Sequence, residues 1–84
     1  MPYIKTEERA LIDPLIVDLL AKVPLMSAGE VNYTITRIIK TFSAPKYVNI
    51  ALSVGILENV KQEFYRRYAA PYEDVKIVEN GDVY

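Results

Sequence analysis

The sequence predicts a mainly α-helical fold, a small domain of about three main helices with a long C-terminal helix, and three observations lead to this prediction. Apolar residues recur every three or four positions through most of the chain, which is the period of an amphipathic helix rather than of a strand. Prolines and capping residues divide the chain into segments of helical length. The chain has 84 residues, 51% of them hydrophobic, which suits one folded domain over 1–84 and argues against disorder.

The first helical region contains two separate start signals. A hydroxyl cap at Thr6 is followed by acidic residues, and Asp13-Pro14 repeats the signal because Asp caps a helix and Pro suits its first position. We therefore expect a short helical turn near 6–12 and a firmer helix over 14–22, ended by a further proline.

The second predicted helix covers 29–42. Ser27 or Gly29 is the expected capping residue, and an acidic residue follows in the first turn. Threonines in this segment lower its helix propensity, but the helical period of its apolar residues outweighs them. That apolar stripe consists of Val31, Ile35, Ile38 and Phe42.

The third predicted helix is long, from 45 to 69, and Pro71 is expected to end it. The residues after it, 75–84, form a C-terminal tail. Asn80-Gly81 lies there between β-forming residues, and this dipeptide favours a tight hairpin turn. The tail is therefore either a β-hairpin or an irregular segment with one turn.

The stretch 47–57 contains no charged residue. A helix that is apolar nearly all round is buried nearly all round, and two short partner helices cannot cover it completely. We therefore predict a homo-oligomer in which small residues allow a close helix crossing; the alternative is that Ala51 and Gly55 face a helix of the same chain. The candidate oligomer interface is Asn49, Ala51, Leu52, Ser53, Gly55 and Ile56.

Arginine and tyrosine residues cluster near the end of the long helix. Guanidinium groups bind phosphate and phenol rings stack on bases, so the cluster has the chemistry that a nucleotide requires. In the plainer interpretation Arg67 pairs with Glu63 and the rings cover the helix end. Glu73 would repel a phosphate unless it orients the arginines. The candidate ligand-binding residues are Tyr65, Arg66, Arg67, Tyr68 and Tyr72.

A second polar group lies on the helix over 29–42. Its members are spaced four apart in two pairs, so they share one side of the helix. They either contact a ligand or another subunit, or form an ordinary solvated face. These candidate residues are Asn32, Tyr33, Thr36 and Arg37.

The composition argues against several classes of function. The chain has no Cys and no His, so disulfides are excluded, zinc is not expected, and nucleophilic catalysis lacks its usual groups. Its carboxylates lack calcium-loop spacing, and there is no Gly-rich phosphate loop. We therefore predict a non-enzyme with no cofactor and no bound metal. A net charge of −1 argues against bulk DNA or RNA binding.

The sequence also carries no membrane signal. No apolar run approaches the length of a transmembrane helix. The N-terminal residues lack a basic start followed by an apolar stretch, so no signal peptide is expected. We expect a cytoplasmic protein that does not bind membranes.

The order of several short segments resembles a small family of unknown function found in bacteriophage and bacterial genomes. The segments are Met1-Pro2-Tyr3-Ile4, Asn32-Tyr33 with Ile35-Thr36, Gly55-Ile56-Leu57-Glu58, Glu63-Phe64-Tyr65-Arg66-Arg67, Pro71-Tyr72-Glu73-Asp74 and Asn80-Gly81-Asp82-Val83-Tyr84. The resemblance implies a stand-alone protein and assigns no catalytic or binding residue.

A phage context implies three kinds of function. The leading hypothesis is a homo-oligomer that binds a host or phage protein. The alternative is a small-ligand binder or sponge for a nucleotide or cyclic nucleotide signal, held at the arginine and tyrosine cluster. The third is a phage structural or assembly protein.

Overall fold

The fold is mainly α-helical, as predicted, and was obtained as a computed structural model that describes residues 4–84. The first three residues, where no signal peptide was expected, lie outside the described part. The helices are α1 (Thr6–Lys22), α2 (Ala28–Phe42), α3 (Tyr47–Phe64) and α4 (Ala70–Asn80). A 3₁₀ turn, Val23–Leu25, follows α1, and a π turn, Tyr65–Ala69, joins α3 to α4. The chain divides into two units, Met1–Phe42 and Ser43–Tyr84, each described by itself below.

Helix α1 is continuous, so the predicted break between 12 and 14 is wrong. Pro14 lies inside the helix, where it lacks the N–H that would bond to the carbonyl one turn earlier. Thr6 is already helical and Lys5 is the residue before the helix, so the predicted hydroxyl cap is also absent. The C-terminal end agrees with prediction, because Pro24 falls in the 3₁₀ turn directly after Lys22.

Helix α2 begins with the predicted serine cap. The backbone N–H of Glu30 donates to Ser27 Oγ at 3.1 Å, and the backbone N–H of Ser27 donates to Glu30 Oε1 at 2.9 Å. This reciprocal pair is a capping box, which satisfies two backbone donors that a helix start leaves without partners. Ser27, and not Gly29, is therefore the capping residue.

Helix α3 starts two residues later than predicted. Lys46 precedes it in an extended conformation and supplies no side-chain cap. The Ser43 hydroxyl donates to the carbonyl of Ala44 at 3.4 Å and does not cap the helix either.

The helix does not end before Pro71, so the predicted stop at 69 is wrong. The π turn replaces the usual bonding pattern there: the backbone N–H of Ala70 donates to the carbonyl of Tyr65, five residues back. Pro71 then occupies the first turn of α4, a position that tolerates a residue without an N–H.

The C-terminal tail forms no β-hairpin. Residues 75–80 continue α4, and no strand occurs anywhere in 4–84. Asn80-Gly81 acts as a helix C-terminus instead: Gly81 adopts φ of 85°, and its N–H donates to the carbonyl of Ile77 at 2.8 Å. Glycine is favoured at such an end because it adopts positive φ without steric cost.

Neither unit has a closed hydrophobic core. Across residues 4–84 no hydrophobic side chain is buried, and Ser53 alone reaches the buried class. In the first unit, α1 and α2 make few contacts with each other. The half-buried apolar residues of that unit are Ile16, Leu19, Val23, Met26, Val31 and Ile39.

Candidate functional site

The two arginines after α3 share one carboxylate. Arg67 Nε lies 2.8 Å from Glu63 Oε1, and Arg66 Nη2 lies 3.3 Å from Glu63 Oε2. The predicted pair between Glu63 and Arg67 is therefore present, and Arg66 joins it. Both guanidinium side chains stay largely exposed.

Tyr65 and Glu73 are brought together by the π turn. The Tyr65 hydroxyl donates to Glu73 at 2.9 Å to Oε1 and 3.1 Å to Oε2. In an α-helix, residues seven apart share a face because two turns hold about 7.2 residues. The extra residue of the π turn shifts that match to residues eight apart. Donation to Glu73, reinforced by the nearby negative charge, raises the pKa of Tyr65.

The remaining tyrosines of the cluster pair elsewhere. Tyr68 stacks on Phe64 with ring centroids 5.1 Å apart. Lys76 lies over the ring of Tyr72, with Nζ 5.6 Å from its centroid, and also pairs with Glu79 at 3.0 Å. Each of the five predicted ligand-binding residues thus contacts a residue outside the predicted set.

A concavity of about 500 Å³ lies beside α4, but it takes in only Tyr65 from the predicted cluster. Glu73, Lys76 and Ile77 line it from α4. The segment 80–84 completes the lining. Sequence reasoning missed Lys76, and its spacing of four from Tyr72 was the available signal.

The polar group on α2 forms two internal pairs. Arg37 Nη1 donates to the Tyr33 hydroxyl at 2.9 Å, and its guanidinium carbon lies 5.8 Å from that ring's centroid. The Thr36 hydroxyl donates to the Asn32 carbonyl at 2.8 Å. Both contacts join residues four apart along one exposed side of the helix, and whether that side binds a ligand or another subunit stays a prediction.

The predicted oligomer interface on α3 is divided between two faces. Asn49, Ser53 and Ile56 lie on a sheltered face, where the Ser53 hydroxyl donates to the Asn49 carbonyl at 2.8 Å. Ala51 and Leu52 lie on an exposed one. A Cβ placed on the other small residue of the predicted crossing, Gly55, would meet no heavy atom within 4 Å.

A different row of apolar residues on α3 is exposed, which the sequence pattern did not indicate. Tyr47, Ile50, Val54 and Leu57 are spaced three, four and three apart, the pattern of a helix-pairing seam. Their exposed fractions are 86%, 51%, 61% and 40%. We refer to these four residues as the α3 seam.

A family model matches residues 1–83, and its description is "Domain of unknown function (DUF6899)". The chain belongs to this family. The match covers nearly all of the sequence and agrees with the resemblance to a family of unknown function. No curated protein and no solved structure matches the chain.

Two features of this DUF6899 chain concern metal binding and membranes. Within the described part of the chain, acidic residues nowhere gather in groups of three or more that would hold a metal ion. Over the same residues, every helix is too short or too polar to cross a bilayer.

Proposed function

We propose that this DUF6899 protein is a non-enzymatic helical homo-oligomer that acts by binding a protein partner. One observation carries the proposal: 51% of the residues are hydrophobic, yet no hydrophobic side chain within 4–84 is buried. Exposed apolar surface on this scale is typical of protein interaction sites. The chain has neither Cys nor His to supply a disulfide or zinc site, and small domains without such supports commonly rely on association.

The exposed area supports the same proposal. The accessible surface of the chain is 7774 Å². For comparison, two separate compact proteins, each with half of the chain's 9.6 kDa mass, would together expose about 6,100 Å². The excess of about 1,600 Å² therefore remains even if the two units make no contact with each other. A stable protein interface buries about 800 Å² on each partner, so the excess is large enough for one.

Helix α1 offers a surface for the protein partner. Leu11 and Leu15 lie one turn apart on the same face and are 75% and 78% exposed. Apolar anchors at this spacing are how an amphipathic helix enters a partner's groove. A net charge of −1 gives no bulk attraction to nucleic acid, which favours a protein as the partner. The resemblance to a family found in bacteriophage and bacterial genomes suggests a host or phage protein, bound in the cytoplasm.

Affinity purification with matched variants tests partner binding. The tagged protein should recover a defined partner from cells of its source. A double Leu11→Glu, Leu15→Glu variant should lose that partner, while the control Val17→Glu, Leu20→Glu, on other sides of the same helix, should retain it. Recovery of the protein alone, or equal loss in both variants, would count against the proposal.

A nucleotide or cyclic nucleotide is the second candidate ligand. The observation that favours it is the exposed pair of guanidinium groups held by a single carboxylate, because guanidinium binds phosphate in a bidentate manner. Thermal-shift measurements with a nucleotide panel test it, since a ligand that binds only the folded state raises the melting temperature. A shift that disappears in Arg66→Gln and persists in Arg9→Gln supports this candidate, and no shift removes it.

A phage structural or assembly role is the third candidate. Detection of the protein in purified particles would support it, and its absence from them would favour the partner-binding role.

A further inference from the structure

We propose that the α3 seam pairs with the α3 seam of a second copy in an antiparallel, two-fold arrangement centred at the height of Leu52. The proposal rests on the proposed homo-oligomer and specifies its contact face, its direction and its register. The seam is the row Tyr47, Ile50, Val54 and Leu57, exposed along its full length. Its spacing of three, four and three is the repeat that packs side chains of one helix between those of another.

The antiparallel register matches apolar residues throughout. It sets Ile50 against the partner's Val54 and Tyr47 against the partner's Leu57, so that each side chain meets one of different shape. Because the two-fold axis repeats every contact, the four residues of each copy are all used. The whole of 47–57 is uncharged, and this register places that stretch against itself.

The charge that follows the seam selects the direction of pairing. In the antiparallel register Lys61, the next residue in the repeat, falls beyond the start of the partner's α3, by about 6 Å at 1.5 Å per residue. A parallel pair would instead set Lys61 against the partner's Lys61 within the row itself, and like charges at facing positions are unfavourable.

The occupant of the seam is a second copy for two reasons. Once it is reversed, the seam sets apolar side chains against apolar side chains along its whole length and leaves Lys61 outside the contact. The excess exposed area, about 1,600 Å² for the chain, also exceeds the about 800 Å² per partner that a stable interface requires.

This contact face is not the one that the small residues indicate. Ser53 is buried and its hydroxyl already donates to the Asn49 carbonyl, so it does not bond across a crossing. Leu52 lies on the side of α3 away from the seam, at the height of the proposed axis. A contact centred on that side would bring Leu52 against the partner's Leu52, which makes this residue a direct control.

Disulfide trapping tests the proposal, and the chain has no native cysteine to interfere. Tyr47→Cys and Leu57→Cys variants are mixed under reducing conditions and then equilibrated in a glutathione buffer. The antiparallel register makes the mixed disulfide the dominant product and leaves both homodisulfides at background. Two copies of residue 47 would lie about 15 Å apart along the axis, far beyond the about 4.4–6.8 Å Cα separation of a disulfide.

Two outcomes would overturn this proposal without contradicting the proposed homo-oligomer. Homodisulfides of the Tyr47→Cys and Leu57→Cys variants would show a parallel pair. Rapid self-linking of Leu52→Cys would show that the opposite face makes the contact. A protein that sediments as a monomer would overturn both this proposal and the proposed function.

Charge substitutions give a second readout that does not depend on cysteines. Val54→Glu places two carboxylates near the axis and should raise the dimer dissociation constant about a hundredfold. Leu52→Glu introduces the same charge at the same height on the other face and should leave the constant unchanged. Both positions are exposed, so neither change disturbs packing within the chain. Equal dissociation constants for the two variants would contradict the seam.

Discussion

Ser27 and Glu30 each satisfy a backbone N–H of the other at the start of α2. The sequence predicted a cap at Ser27 or Gly29 but not the reciprocal pair, although a serine followed three residues later by glutamate is its local signal. The backbone N–H of Ser27, and secondly its side chain, lower the pKa of Glu30. Glu30 therefore contributes fully to stability at pH values above its ordinary pKa. This contribution is lost as the pH falls through the lowered pKa.

Ser27→Ala should therefore weaken the start of α2. We expect the free energy of unfolding to fall by about 1 kcal/mol at neutral pH, the usual cost of removing a helix cap. Urea denaturation of both proteins at one fixed concentration measures it. Because the variant keeps the backbone N–H that donates to Glu30, most of this difference should persist when Glu30 is protonated in acid. Equal free energies of unfolding for the two proteins would show that the Ser27 hydroxyl does not cap α2 in solution.

Tyr65 and Glu73 illustrate a residue contact that the sequence could not predict. Side chains that meet on a helix are usually three or four residues apart, whereas these two are eight apart with a π turn between them. The raised pKa of Tyr65 means that its contribution to stability is present below the ordinary tyrosine value. It is lost as the pH rises through the raised value.

Glu73→Gln should remove the negative charge while keeping a hydrogen-bond acceptor. We expect the pKa of Tyr65 to move down toward that of an ordinary tyrosine, because its phenolate would no longer face a carboxylate. NMR titration of ring-labelled tyrosines measures it, with Tyr65→Phe identifying the resonance. An unchanged titration in Glu73→Gln would show that the pair does not form in solution.

At the scale of elements, the sequence placed helices well and misjudged what proline does to them. Pro24 follows α1 and ends it, but Pro14 and Pro71 lie within or at the start of helices. The local rule is the same at all three positions. What differs is the surrounding chain. Apolar residues on both sides of Pro14 continue one helical period, whereas Pro71 is entered through a π turn and lies in the first turn of α4.

Pro14→Ala should stabilise α1. Proline inside a helix costs up to about 3 kcal/mol relative to alanine, because one backbone hydrogen bond is missing and the ring crowds the preceding turn. Helicity by circular dichroism and the melting temperature should both rise. A fall in either would indicate that α1 is broken at Pro14 in solution, as the two start signals had suggested.

The C-terminal tail is the element where local signals were least informative. Asn80-Gly81 suits both a hairpin turn and a helix C-terminus, because each requires a residue that adopts positive φ. The choice depends on whether the preceding residues, 75–80, are already helical. Those residues are helical because the helix continues past Pro71, which the sequence pattern did not indicate.

For the whole molecule, the sequence predicted the helical class and the surplus of apolar surface. It could not indicate which face of α3 stays exposed, because 47–57 is apolar on every side. The small residues favoured one face, whereas the exposed residues form the α3 seam on another. Periodicity identifies a helix reliably, but only neighbouring structure decides which of several apolar faces is covered.

Association and folding should be coupled in this protein. If copies cover one another's apolar faces, the melting temperature should rise with protein concentration, because mass action favours the associated folded state. A dilution series followed by circular dichroism measures this. Val54→Glu should melt lower and show a weaker dependence on concentration than the matched Leu52→Glu.

Sedimentation velocity across a wide dilution series tests the central claim most directly, that copies of this chain cover each other's exposed helix faces. The account predicts a species whose mass is a multiple of 9.6 kDa, dissociating only on strong dilution and together with loss of helicity. A single species of 9.6 kDa that remains folded and melts cooperatively at every concentration would contradict it.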